Sequence, residues 1–148
     1  MRKKLMPTTY LLIAVILCVT LHFILPIKTI IPATWNLVGL IPFILGIWVN
    51  LAADRELKLA ETTVKPFAES YALVKVGVYR FSRNPMYLGF IAILLGVSTL
   101  LRTLSPFFIV IAYAIFINTA FIRFEEHKLA RLFGDEWHQY RSKVRKWI

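Results

Sequence analysis

PMYLGFIAILLGVSTLLRTLSPFFIVIAYAIFINTAFI, residues 85–122, is the stretch that decides the fold, and its only charged residue is Arg102. On either side of that arginine lie apolar runs, 85–101 and 103–122. Each has about the length that crosses ~30 Å of hydrocarbon as a helix. The connection Arg102–Ser105 is too short for anything but an antiparallel helical hairpin. Pro106 then falls in the first turn of the second arm, where a helix accepts proline. The hairpin returns its far end to the level where it began, so Arg83–Tyr87 and Arg123–Glu126 become neighbours.

Two further uncharged runs, 10–27 and 35–53, precede this hairpin. The chain has 148 residues, 58% hydrophobic and 18% charged, with a mean hydropathy of +0.65. A soluble domain averages about 45–50% apolar and about 25% charged. Spans in lipid must satisfy their own backbone polar groups, which selects helix. The sequence predicts an all-α integral membrane protein of one domain, residues 1–148. Its four transmembrane helices end in the helical hairpin, with a cytoplasmic loop at 54–84 and an amphipathic cytoplasmic tail at 123–148.

The net charge of +10 is a topology signal. Sixteen of the 18 Lys and Arg residues precede the first span, separate the second from the third, or follow the fourth. Only Lys28 and Arg102 face the other side. The positive-inside rule makes the crowded face cytoplasmic, with both termini on it, in the cytoplasmic (inner) membrane of a prokaryote. Anionic headgroups are a secondary partner for this charge, and nucleic acid is not expected. All eight Asp and Glu residues share that face. Cys18 is solitary and mid-span, so a disulfide framework is excluded. The N-terminal basic and apolar stretch lacks a small-x-small cleavage site and reads as a retained first helix.

GVYRFSRNPMYLG, residues 77–89, leads into the hairpin, and RFEEHKLARLFGDEWHQY, residues 123–140, follows it. Ionisable groups held against hydrocarbon are costly, so a cluster of them is a functional hypothesis. Plain structural readings stand beside it. Asn84 fits a helix N-cap and Pro85 the first turn, while the same N-terminus offers free N–H groups to an anion. Glu125 and Glu126 either mark a helix re-entering water or hold a cationic ligand or ribose hydroxyls. Acids oppose the dipole at a helix C-terminus, so they call for a partner unless the helix runs on, and Arg80, Arg83 and Arg123 are available. Tyr79 and Tyr87 serve as interfacial aromatics or as stacking surfaces for a flat heterocycle. In the tail, Leu129, Leu132 and Phe133 form an apolar stripe. Gly134 marks a helix end, and Trp137 and Tyr140 are placed to pack on the hairpin or the headgroups. At the other end, Arg102 is expected to snorkel to the outer interface. His22 is expected to meet a backbone carbonyl or water.

Metal-ligand spacing, P-loop, GxGxxG and a Ser/His/Asp set are all absent. The spans carry no mid-membrane charge, which disfavours a channel or pump.

Taken together, the two motifs resemble those of the membrane methyltransferases related to isoprenylcysteine carboxyl methyltransferase and the phospholipid N-methyltransferases. That family has G-x-Y-x-x-x-R-H-P-x-Y-x-G before a hairpin, then a Glu-Glu pair, an F-G and a tyrosine-bearing tail. The matches are Gly77, Tyr79, Arg83, Pro85, Tyr87 and Gly89, then Glu125, Glu126, Phe133, Gly134, Trp137 and Tyr140. The chain departs from the pattern in having Asn84 for His, and Phe121 where the eukaryotic carboxyl methyltransferases carry an Arg for the substrate carboxylate.

The resemblance implies S-adenosyl-L-methionine as methyl donor and a lipophilic acceptor entering from the bilayer, presenting a carboxylate, an amine or a thiol. It implies Glu125 and Glu126 as the catalytic pair, with no metal. It places Tyr71, Ala72, Leu73, Val74 and Tyr79 against the cofactor, along with Arg83, Asn84, Pro85, Met86, Tyr87 and Gly89. Sterol C14-reductase-like membrane reductases share a similar segment and use NADPH, but lack the Glu-Glu pair. A non-catalytic small membrane protein is the other alternative.

Overall fold

The computed structural model describes residues 6–62 and 72–148. Tyr71 and the Lys65-Pro66 interruption therefore lie outside the described residues. The helices are α1 (Pro7–Ile24), α2 (Leu40–Leu59), α3 (Pro85–Leu101), α4 (Ser105–Ile117) and α5 (Arg123–Lys143). A 3-10 turn over Asn36–Gly39 leads into α2. Proline sits in the first turn of α1, α3 and α4, where its missing N–H removes no helical bond. Helix α1 stops at Ile24 because Leu25 precedes Pro26, and a residue before proline is driven out of the helical region. The second apolar run continues as helix through Asp54, Arg55 and Glu56 to Leu59.

Among the described residues, three helical stretches are long and apolar enough to cross a membrane: Pro7–Ile24, Asn36–Leu59 and Ser105–Lys143. The first arm of the hairpin, Pro85–Leu101, is a shorter apolar helix of 17 residues, about 25 Å long. Their outward faces expose large apolar side chains, including Leu12, Ile16, Trp48, Leu51, Ile111 and Ile115, the surface that lipid would cover.

Helices α2 and α3 pack through small residues. A Cβ added at Gly46 would lie 2.5 Å from the Gly89 carbonyl oxygen, and one at Gly96 would lie 2.6 Å from that of Gly39. The seven-residue spacing of both glycine pairs keeps them on one helix face, so the backbones come into contact. Helices α1, α3 and α4 enclose an apolar core around Cys18, Leu94, Ile117 and Ile122.

At the opposite end from the site, the hairpin tip is bonded to the α1–α2 connection. Arg102 adopts a left-handed backbone (φ 69°) and its carbonyl accepts from the N–H of Ile30 at 2.9 Å. Its Nε donates to the Ile31 carbonyl at 3.0 Å. At the hairpin tip the arginine thus also clamps the α1–α2 connection. The His22 Nδ1 pairs with the Thr103 hydroxyl at 2.9 Å.

Candidate functional site

The first wall is built by residues 72–87. An extended segment enters from Ala72 and turns at Gly77 (φ 58°), where a side chain would collide with Glu56 of α2. The 3-10 turn Gly77–Arg80 follows. Asn84 then occupies the N-cap position of α3 but makes no side-chain cap bond. Its Nδ2 instead donates to the Lys146 carbonyl at 3.1 Å, while its own N–H donates to the Ser82 hydroxyl at 3.1 Å. The expected capping role is corrected accordingly: the tail supplies a better-placed acceptor for the amide.

The second wall follows from an irregularity at the end of α4. Residues Asn118–Ile122 form a π-turn, and the chain continues without a break into α5. The Thr119 hydroxyl donates back to the carbonyls of Ile115 (3.0 Å) and Phe116 (3.1 Å), a bonding pattern that bends helices. A π-turn shifts the helical phase just upstream of Glu125 and Glu126. Because the helix runs on through the π-turn, these two acids stand inside a continuous helix and not at its C-terminus, where the dipole would oppose them. Gly134 (φ 46°, ψ −118°) breaks α5, in line with the expected helix end. The break leaves Trp137 and Tyr140 buried beneath the hairpin.

The walls meet through defined contacts. The Tyr87 hydroxyl donates to Glu125 Oε1 at 2.5 Å. Arg83 Nη2 lies 3.2 Å from Glu126 Oε1, and Lys146 Nζ lies 3.8 Å from Glu126 Oε2. The Arg83 guanidinium sits over the Trp137 ring, 5.5 Å from its centroid. The Tyr140 hydroxyl donates to the Tyr79 carbonyl at 2.6 Å. The C-terminal tail is tied to this wall, with the Arg83 N–H donating to the Arg145 carbonyl at 3.0 Å.

Burial pushes the Glu125 carboxyl up to about 7, against the opposing pull of the Tyr87 hydrogen bond and the Lys128 charge. Burial also raises the Tyr79 hydroxyl. A buried carboxyl shifted toward neutrality in a cleft makes this region a candidate site.

These groups border one pocket with about 1180 Å³ of unfilled space, part of it open to solvent. Both glutamates line it, and so do the described residues expected against a cofactor, with one exception. Gly89 lies instead in the α2–α3 contact, facing the Gly46 carbonyl and the Asn50 side chain. Sequence reasoning missed Met6–Thr8, Leu57 and Phe90 on the lining. It also missed Lys128, although its place one turn after Glu125 was a readable signal.

The phospholipid methyltransferase family pattern matches residues 35–136. The chain is also similar to the protein-S-isoprenylcysteine O-methyltransferase of Saccharomyces cerevisiae, 43% identical over 86 residues. That match takes in 55% of this chain but only 34% of the yeast protein, so the chain spans about a third of its relative's length. No solved structure matches. With more than half its residues inside the pattern, the chain belongs to the phospholipid methyltransferase family.

Proposed function

We propose that this protein is a membrane methyltransferase that uses S-adenosyl-L-methionine to methylate a lipophilic, membrane-partitioned acceptor through a carboxylate, amine or thiol. The observation that carries the reading is the juxtaposition of Glu125, bonded to Tyr87, with the Arg83–Glu126 pair in one pocket beside apolar helices. The residues present fit the cofactor. Two carboxylates suit a cation, Tyr79 and Trp137 offer aromatic surface, and buried Arg83 nitrogens are without partners. S-adenosyl-L-methionine supplies an electrophilic methyl group on a sulfonium centre.

The chain's own residues do the rest. Glu125 and Glu126 place negative charge where a cation is to be held, preorganised in a partly dry site. Apolar lining from Leu57, Leu73, Phe90 and Leu129 limits water, and the fixed walls favour alignment of the reacting groups. Glu125, near neutrality in its titration, is suited to take a proton from an amine or thiol acceptor. The four apolar helices are assigned as spans, α3 being the short one. The bias of basic residues between and around the spans supports a cytoplasmic side for the site.

The test is a titration of purified protein in detergent with S-adenosylhomocysteine and with NADPH. Binding of the first is expected. Its absence well above micromolar concentration, or binding of NADPH alone, overturns the proposal. Glu125→Gln and Glu126→Gln are expected to reduce turnover about 10- to 1000-fold while the protein remains folded.

A further inference from the structure

We infer that Arg83 is the anchor for a carboxylate group on a ligand in this pocket. The Arg83 side chain is only 7% exposed. Yet its Nε and Nη1 have no hydrogen-bond partner, and the residue lines the cavity. Buried donors normally find acceptors, and an unmet one is costly.

The neighbours do not absorb this capacity. Nη2 lies 3.2 Å from Glu126 Oε1, but that oxygen lacks an aligned hydrogen bond. The contact is therefore an ion pair and not a two-pronged fork. One face of the guanidinium is covered by Trp137, which fixes its plane and leaves its edges available.

Charge points the same way. Arg83 and Lys146 both face the single Glu126 carboxylate, while Glu125 is engaged by Tyr87. Sharing one carboxylate with Lys146 leaves the Arg83 guanidinium only partly neutralised. The planar pair of oxygens on a ligand carboxylate matches the planar guanidinium donors that are still without a partner.

The inference rests on the methyltransferase reading, in which two molecules can bring a carboxylate: the donor, through its amino-acid end, or the acceptor. The experiment separates them with four probes measured by calorimetry on the full chain in detergent. S-Adenosylhomocysteine is compared with its decarboxylated counterpart, the same nucleoside thioether ending in an aminopropyl group. N-Acetyl-S-farnesylcysteine is compared with its carboxamide.

Wild-type protein is expected to prefer the carboxylate member of one pair by about 10- to 100-fold. Arg83→Gln is expected to cut that preference to less than about threefold, and Arg83→Lys to retain part of it. The pair that responds identifies the source. Equal affinity within both pairs for wild type, or an undiminished preference in Arg83→Gln, overturns the inference. Should Arg83→Gln not fold, the wild-type comparison and an unchanged preference in Arg83→Lys decide against it. Failure of both nucleosides to bind defeats the methyltransferase reading itself, and the farnesylcysteine pair then scores Arg83 alone.

Discussion

The Tyr87 hydroxyl donates a 2.5 Å hydrogen bond to Oε1 of Glu125, joining the first turn of α3 to the first turn of α5. This bond stabilises the carboxylate form and opposes the upward push of burial. Tyr87→Phe removes it and keeps the ring, so the Glu125 carboxyl should titrate at still higher pH. If the anion is the working form, activity rises with pH through about 7 and the variant's rise is displaced to higher pH. Turnover at neutral pH is expected to fall about 10- to 100-fold. The assay transfers labelled methyl groups to extracted membrane lipids. A variant profile superimposable on the wild type would separate this bond from catalysis.

Stability should carry the same signature with the opposite slope. The folded Glu125 carboxyl titrates at about 7, above its ordinary 4.5, so the native state favours the neutral form. Its contribution is complete below about pH 4.5 and disappears as pH rises through 7. Thermal unfolding in detergent should thus shift downward between pH 5 and 8, by up to ~3 kcal/mol. Glu125→Gln should flatten that segment. A cationic sulfonium ligand needs the anion, so its affinity should rise over the same window, more steeply than that of the neutral thioether. Equal slopes for the two ligands would remove Glu125 from contact with the sulfonium.

Much of this site was legible because it follows from connection length. Residues 102–105 can only close a hairpin, and a hairpin must place Arg83–Tyr87 beside Glu125–Glu126. That the acids need a cation at a span's edge was likewise readable, but the choice of Arg83 over Arg80 and Arg123 came only from the structure. The π-turn at Asn118–Ile122 was not readable, because inserting one residue into a helical turn leaves no compositional trace. Nor was the tail's role. The contacts of residues 145 and 146 with Ser82, Arg83 and Asn84 run through main-chain carbonyls that every residue possesses. The Arg102 clamp was hidden for a related reason, since its acceptor is the main-chain carbonyl of Ile31.

The glycine contact of α2 with α3 is a separate stability element, and it also accounts for Gly89. A Cβ at Gly46 would meet the Gly89 carbonyl at 2.5 Å and Ile93 Cγ1 at 2.8 Å. Backbone cannot yield as a side-chain tip can. Gly46→Leu should therefore destabilise by about 2–4 kcal/mol, read as a lowered unfolding temperature in detergent. Leu51→Ala, at an exposed position on the same helix, should shift it far less. Comparable losses from both would mean that the close approach is not what holds the helices.

Asn84 offers the sharpest discrimination between two roles. As a helix cap, it would use its side-chain oxygen as acceptor, and aspartate would serve at least as well. In the structure it is a donor, with Nδ2 on the Lys146 carbonyl at 3.1 Å. Ser82 supplies a second, longer bond to that carbonyl at 3.3 Å. Asn84→Ala should then cost about 0.5–1.5 kcal/mol, one buried hydrogen bond with its acceptor still partly served. Asn84→Asp should cost more, because a carboxylate would face a carbonyl oxygen with no proton between them. The adjacent Arg83 is held to the tail through its own N–H, so both variants should weaken S-adenosylhomocysteine binding several-fold in the same order. If Asn84→Asp proves as stable as wild type while Asn84→Ala does not, the residue is a cap and the tail clasp is dispensable.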